Sequence, residues 1–127
     1  MTLILEAALG TVLADALKDY IDTGTAPELV FETSGDVEVA EIILNATQAF
    51  DNAIGNVITM ADQPLSDTDA TGGVVAQFSI FINVGQSGKV LEGDVQVAGG
   101  DINLSSLTVG ATDTVELTTF TLAVPAS

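Results

Sequence analysis

The chain has 127 residues, 18 of them acidic against two lysines (Lys18 and Lys89), for a formal charge of −16, and 47% of it is apolar. It holds no histidine, cysteine or arginine, which excludes imidazole and thiol catalysis, zinc sites of the usual nitrogen and sulfur ligands, disulfides, and forked guanidinium recognition of phosphate. Two lysines release few counterions from a phosphate backbone, so nucleic acid and anionic membrane surfaces are excluded as partners.

One domain over residues 1–127 fits this length, which suffices for a real core. Regular apolar runs argue against disorder despite the charge. The absence of cysteine fits a reducing compartment, or a particle assembled in one. Residues 1–17 are apolar but lack a basic start and carry Glu6 and Asp15. They read neither as a signal peptide nor as a membrane span.

The first predicted element is an amphipathic helix over residues 3–21. Leu5, Leu9, Val12, Leu13, Ala16, Leu17 and Tyr20 recur at steps of three and four and share one face. Thr2 is the expected N-cap, Glu6 sits near the positive helix end, and Asp22-Thr23-Gly24 with Pro27 supplies the stop. Gly10 weakens the middle by roughly 1 kcal/mol relative to Ala. A helix this short needs a packing partner, either its own sheet or a neighbouring subunit.

After Pro27 the apolar period becomes two, and residues 28–124 read as an antiparallel β-sandwich or jelly roll of about seven or eight strands. Leu29 to Glu32 and Val37 to Leu44 form a hairpin around Ser34-Gly35, and Asn56 to Met60 is a third strand. Gln63 to Gly73 is a polar surface loop with room for a short edge strand. Val74 to Val84 places Val74, Ala76, Phe78, Ile80, Ile82 and Val84 on one face, with Gln77, Ser79 and Asn83 on the other. Gly85 to Gly88 turns it into Lys89 to Val97 as a long hairpin. Asp101 to Val109 slips phase at Ser105-Ser106, which predicts a bulge or a crossing between sheets. Val115 to Val124, the last strand, also changes parity.

The acids are the only reactive groups in number. Asp62, Asp67 and Asp69 are the calcium candidates, because Asp67-Thr68-Asp69 has the spacing of calcium loops. The loop lacks the glycine and distal glutamate of the full pattern, so a solvated turn is the competing reading. Glu38 and Glu41 have opposite strand parity, so a regular strand points them apart and makes no glycosidase pair. Ser105 and Ser106 have no base, and Gly72-Gly73 and Gly99-Gly100 lie between strands, as turns rather than phosphate cradles. The expectation is no catalytic residue, no cofactor and no enzyme. Val75 and Phe81 oppose the core parity of their strand and form an outward stripe, packed under the helix or against another subunit. With Leu5, Leu9 and Leu13 they are the candidate protein-contact residues.

One resemblance emerges from the order of these phrases. The helix runs into Tyr20-Ile21-Asp22-Thr23-Gly24-Thr25-Ala26-Pro27. Next comes Gly72-Gly73-Val74-Val75-Ala76-Gln77-Phe78-Ser79-Ile80-Phe81, then Gly99-Gly100-Asp101-Ile102-Asn103-Leu104-Ser105-Ser106-Leu107, and Pro125 closes the last strand. This pattern, covering most of the chain, resembles small virion-structural proteins of tailed bacteriophages. The resemblance implies a β-sandwich or jelly roll that decorates or cements the head, on the outer surface of the virion. Its implied partners are the major capsid protein or other virion proteins and further copies of itself. A tail, neck or fibre-associated subunit is the alternative within the virion, and a secreted calcium- or glycan-binding module the alternative outside it.

Overall fold

In the computed structural model, which describes residues 6–124, the change of period at Pro27 divides one helix from a series of short strands. Helix α1 spans Ala7–Ile21. The strands are β1 Glu28–Glu32, β2 Glu38–Ile43, β3 Val57–Thr59, β4 Leu65–Asp67, β5 Gly73–Val74, β6 Gln77–Asn83, β7 Ser87–Gln96, β8 Ile102–Asn103, β9 Thr108–Val109, β10 Val115–Leu117 and β11 Thr121–Ala123. The protein is mainly β, with a curled sheet and the single N-terminal helix.

The predicted helix start, its Thr2 cap and Leu5 lie outside the described residues. Within them Glu6 takes the N-cap position in extended conformation without a side-chain cap. The stop falls where the sequence places it. The Asp22 N–H donates to the Lys18 carbonyl and the Thr23 N–H to that of Tyr20, both at 3.1 Å, and Thr23 Oγ1 also donates to the Tyr20 carbonyl at 2.6 Å. Lys18 lies in the last turn, where the helix dipole favours a cation. Gly24 then crosses β6 so closely that a Cβ would stand 1.7 Å from the Ile82 carbonyl oxygen. Only glycine fits there.

A five-stranded sheet in the order β2-β1-β6-β7-β8 forms the centre. β1 and β2 make the predicted hairpin, held at its turn by Thr33 Oγ1, which accepts the N–H groups of Gly35 and Val37. β6 and β7 make the second hairpin. β8 runs parallel to β7, a departure from the all-antiparallel expectation. Three two-stranded ladders accompany this sheet: β10-β4, β11-β3 and β5-β9.

These ladders explain the parity changes. The Asp101 to Val109 segment leaves the central sheet after β8 and enters the β5-β9 ladder, so its phase slip is a crossing between sheets. Val115 to Val124 divides into β10 and β11, which pair with different partners. The Val74 to Val84 run also breaks, because Val75 donates its N–H to Leu107 and Ala76 to Glu32. The result is more and shorter strands than the seven or eight expected.

The main core lies on one face of the sheet and gathers Leu29, Phe31, Ile42, Phe78 and Ile80 with Phe50, Ile58, Leu117 and Phe120. Phe120 meets the Phe78 ring edge-on at 5.5 Å and the Phe50 ring at 6.1 Å, a geometry that the ring quadrupoles favour. Gly93 leaves room for this packing, since a Cβ there would stand 2.4 Å from Phe78. Val75 is buried in this core, and the outward position expected for it is wrong. The strand break re-aims it.

The buried face of α1 also differs from the expected one. Gly10, Ala14 and Ile21 are its buried residues, with Leu17 partly buried beside them. Small side chains form this face, and Leu9, Val12, Leu13 and Tyr20 of the predicted stripe lie on the outer flank instead.

Candidate functional site

Two surfaces concentrate what chemistry the fold offers: the outer flank of α1 and the second face of the central sheet.

On α1, Leu9, Leu13, Ala16 and Tyr20 follow one another at steps of three and four, beside the buried stripe rather than on it. Leu9 is 44% exposed, Val12 62%, Leu13 38% and Tyr20 55%. This is a run of large apolar side chains on a rigid element that the described residues cover only in part. Leu9 and Leu13 are thus partly exposed, while Leu5 lies outside the described residues. The opposite flank is tied down: Asp15 Oδ1 accepts the Ala53 N–H at 2.8 Å, and Asp22 Oδ1 the Ala49 N–H at 2.9 Å. These bonds fix the orientation of the helix and hence which flank faces out.

The second sheet face carries Glu28, Val30 and Glu32 on β1, which stand opposite Phe81, Ser79 and Gln77 of β6. By strand alternation this is the face away from the core, yet Glu28, Glu32 and Ser79 are fully or almost fully buried. Their cover is polar. Ser79 Oγ and Gln77 Nε2 both donate to Glu32 Oε1, at 2.6 and 3.2 Å. The Gln86 N–H, from the β6–β7 turn, donates to Glu28 Oε1 at 2.7 Å, and Gln86 Nε2 reaches Glu38 Oε1. Gln86 thus straps the hairpin tip across the sheet. Phe81 lies under Lys89, whose Nζ stands 5.8 Å from the ring centroid and 3.2 Å from Glu92 Oε2. Phe81 is thus buried, outside the main core cluster, rather than facing outward.

A bulge corrects a further expectation. The β1–β2 register shifts between Phe31 and Glu32, so Glu41 opposes Val30 while Glu38 opposes Glu32. Two glutamates of opposite sequence parity therefore share one face. Glu28 Oε2 finds no hydrogen-bond donor among the described residues, and Glu41 is a neighbour of the Glu28 side chain. Burial first, then this neighbour, pushes the Glu28 carboxyl up to about 8, against the opposing pull of the Gln86 N–H. Glu28 and Glu32 escaped the sequence reading because Glu-Leu-Val-Phe-Glu alternates like a half-solvated strand. The only available signal was the supply of donors, Gln77, Ser79 and Gln86, in the facing hairpin.

The calcium candidates do not converge. Asp67 Oδ2 accepts the Glu41 N–H and Oδ1 the Asp69 N–H, both at 2.9 Å, while Asp62 Oδ2 accepts from Asn45 Nδ2 at 2.6 Å. Asp67 thereby pins the β4 loop to β2. Among the described residues no three acidic side chains are grouped to hold a metal, and no helix is long and apolar enough to cross a membrane. An open hollow of about 330 Å³ beside β8 and β10 is lined chiefly by Asp101, Asn103, Glu116 and threonines.

No protein family, curated protein or solved structure matches the chain.

Proposed function

We propose that this chain is a structural protein of a tailed-bacteriophage virion, with a β-sandwich or jelly-roll body, acting as a head decoration or cement protein on the outer surface. The observation that supports this reading best is the outer flank of α1. Leu9, Val12, Leu13 and Tyr20 present an apolar strip on a helix whose other side is anchored to the segment between β2 and β3. Such a strip, repeated by the symmetry of a lattice, gives multivalent attachment from modest single contacts. The charge of −16 suits a particle exterior rather than a lining against packaged DNA. The order of helix, turn and strand phrases adds the resemblance to small virion proteins. The partners are then the major capsid protein or other virion proteins, with copies of the chain itself.

The test is sedimentation of a native source lysate on a density gradient with the chain counted per particle. Co-migration with heads at a copy number on the scale of the capsid lattice supports decoration. A copy number on the scale of a single portal or tail ring moves the chain to the tail, neck or fibre. Recovery only among soluble proteins overturns the virion reading.

A further inference from the structure

We propose that two copies of the chain pair through the far edge of β7, antiparallel about a twofold axis between Val90 and Leu91. The central sheet is open there. β8 joins β7 only at Val95 and Gln96, and no other described strand pairs with β7 on that side. Asp101, at the start of β8, accepts the Asp94 N–H on Oδ2 at 2.9 Å, so the main chain of Asp94 is directed away from β6. In an antiparallel ladder that direction alternates from pair to pair. Asp94, Glu92 and Lys89 stand opposite Gln77, Ser79 and Phe81, alternate residues of β6, so Glu92 and Lys89 share the outward setting. Neither has a backbone partner beyond β7 among the described residues. An open edge of this kind is a template for another strand.

The side chains along this edge are self-complementary. The register shift between Ile80 and Phe81 leaves Val90 as an extra residue, a bulge. Lys89 and Glu92 therefore lie on one face with their charged groups 3.2 Å apart, while Val90 and Leu91 both pack in part against the core. The order along the edge is cation, apolar, apolar, anion. Turned about a twofold axis, this order meets itself in register. Val90 opposes the second copy's Leu91, and Lys89 opposes the second copy's Glu92. The four charges then alternate in sign around the axis, and the half-exposed Val90 and Leu91 are covered from the side. Charge complementarity selects a copy of this chain as the occupant. Of the two lysines, Lys89 is the one open to a partner, with 40% of its side chain exposed against 12% for Lys18. A bulge and charged residues blunt many sheet edges. Here opposite charges placed symmetrically about an apolar pair favour one partner strand, this strand itself.

Sedimentation velocity of the full chain up to about 1 mM, in about 0.15 M salt to screen the net charge, is expected to show a reversible monomer–dimer equilibrium. Lys89→Glu and Glu92→Lys, each alone, set like charges opposite one another across the axis and should weaken the dimer about tenfold. An equimolar mixture of the two variants should recover it, because each then meets its complement. Net charge acting without this register would make Glu92→Lys the tighter of the two, and that result overturns the proposal. So does a mixture that associates no better than its components, or a wild type that stays monomeric at about 1 mM. Should a variant fail to fold, the wild type decides by NMR on dilution. Concentration-dependent shifts at the Lys89 and Glu92 amides uphold the β7 contact, and shifts confined to α1 overturn it. The contact stands or falls apart from the virion reading, since neither heads nor the helix flank enters the measurement.

Discussion

Helix α1 and strand β6 had the clearest hydrophobic patterns in the chain, and each departs from its pattern in the opposite direction. On α1 the large apolar residues Leu9, Val12, Leu13 and Tyr20 stay exposed while Gly10 and Ala14 are buried. On β6 the supposed outer face is buried too, from Ser79 at 0% exposure to Phe81 at 6%. The difference is one of position. β6 lies in the middle of the sheet with β1 and β7 on either side, so even its polar face is roofed by the long side chains around it. α1 is a peripheral element that touches the sheet along one narrow stripe. Hydropathy states what a residue can tolerate, and topology decides what it receives.

That contrast can be broken by mutation, beginning with the inner stripe of the helix. Ala14→Asp places an unpaired charge at a fully buried position, and a loss of about 3–5 kcal/mol is expected in chemical denaturation, enough to unfold a marginal domain. Phe78→Ala removes the ring that packs edge-on against Phe120 and should cost a comparable 3–5 kcal/mol.

The roofed face of β6 and β1 should show itself in pH dependence. The ordinary glutamate value is 4.5, while Glu28 in the fold is pushed up to about 8. Below pH 4.5 both folded and unfolded chains hold this proton, and the stability it confers is fully present. As pH rises from there to 8 the unfolded chain releases the proton while the fold retains it, so stability falls; above 8 the contribution is gone. Denaturation midpoints are therefore expected to decline between about pH 6 and 8, where no ordinary side chain of this sequence titrates. A flat profile there would contradict the buried-carboxyl account.

A smaller effect tests the fit of the two strands. Gly93→Ala puts a methyl group against the Phe78 ring and should destabilise by about 1–3 kcal/mol, relieved when Phe78 is shortened to Leu in the same chain. Smallest of all is the outer flank of α1. Leu13→Asp should change stability by no more than about 0.5–1 kcal/mol, because that side chain lies outside the packed stripe.

Much of the local architecture was legible in the residues. The β1–β2 hairpin, the helix stop at Asp22-Thr23-Gly24 and the crossing at Ser105-Ser106 follow from turn chemistry and parity, which are properties of neighbouring residues. The site was not legible to the same degree. Reading Glu38 and Glu41 as pointing apart assumed a regular strand, and the bulge opposite Glu32 depends on the partner strand. Val75 was placed outward by its parity and is turned inward by its backbone bond to Leu107, more than thirty residues away in sequence. The inner face of α1 was misread because a stripe of Gly and Ala carries little hydropathy, although it permits the closest approach. Each miss is a long-range contact overriding a short-range pattern.

The central claim is that the outer flank of α1 attaches the folded chain to a particle. Its most direct test is co-sedimentation of purified wild-type and Leu13→Asp chains with heads isolated from the source and stripped of this protein, alongside denaturation curves for both. The account predicts that Leu13→Asp keeps wild-type stability but fails to bind heads that the wild type saturates. Equal binding by both chains, or no binding by the wild type, would contradict it.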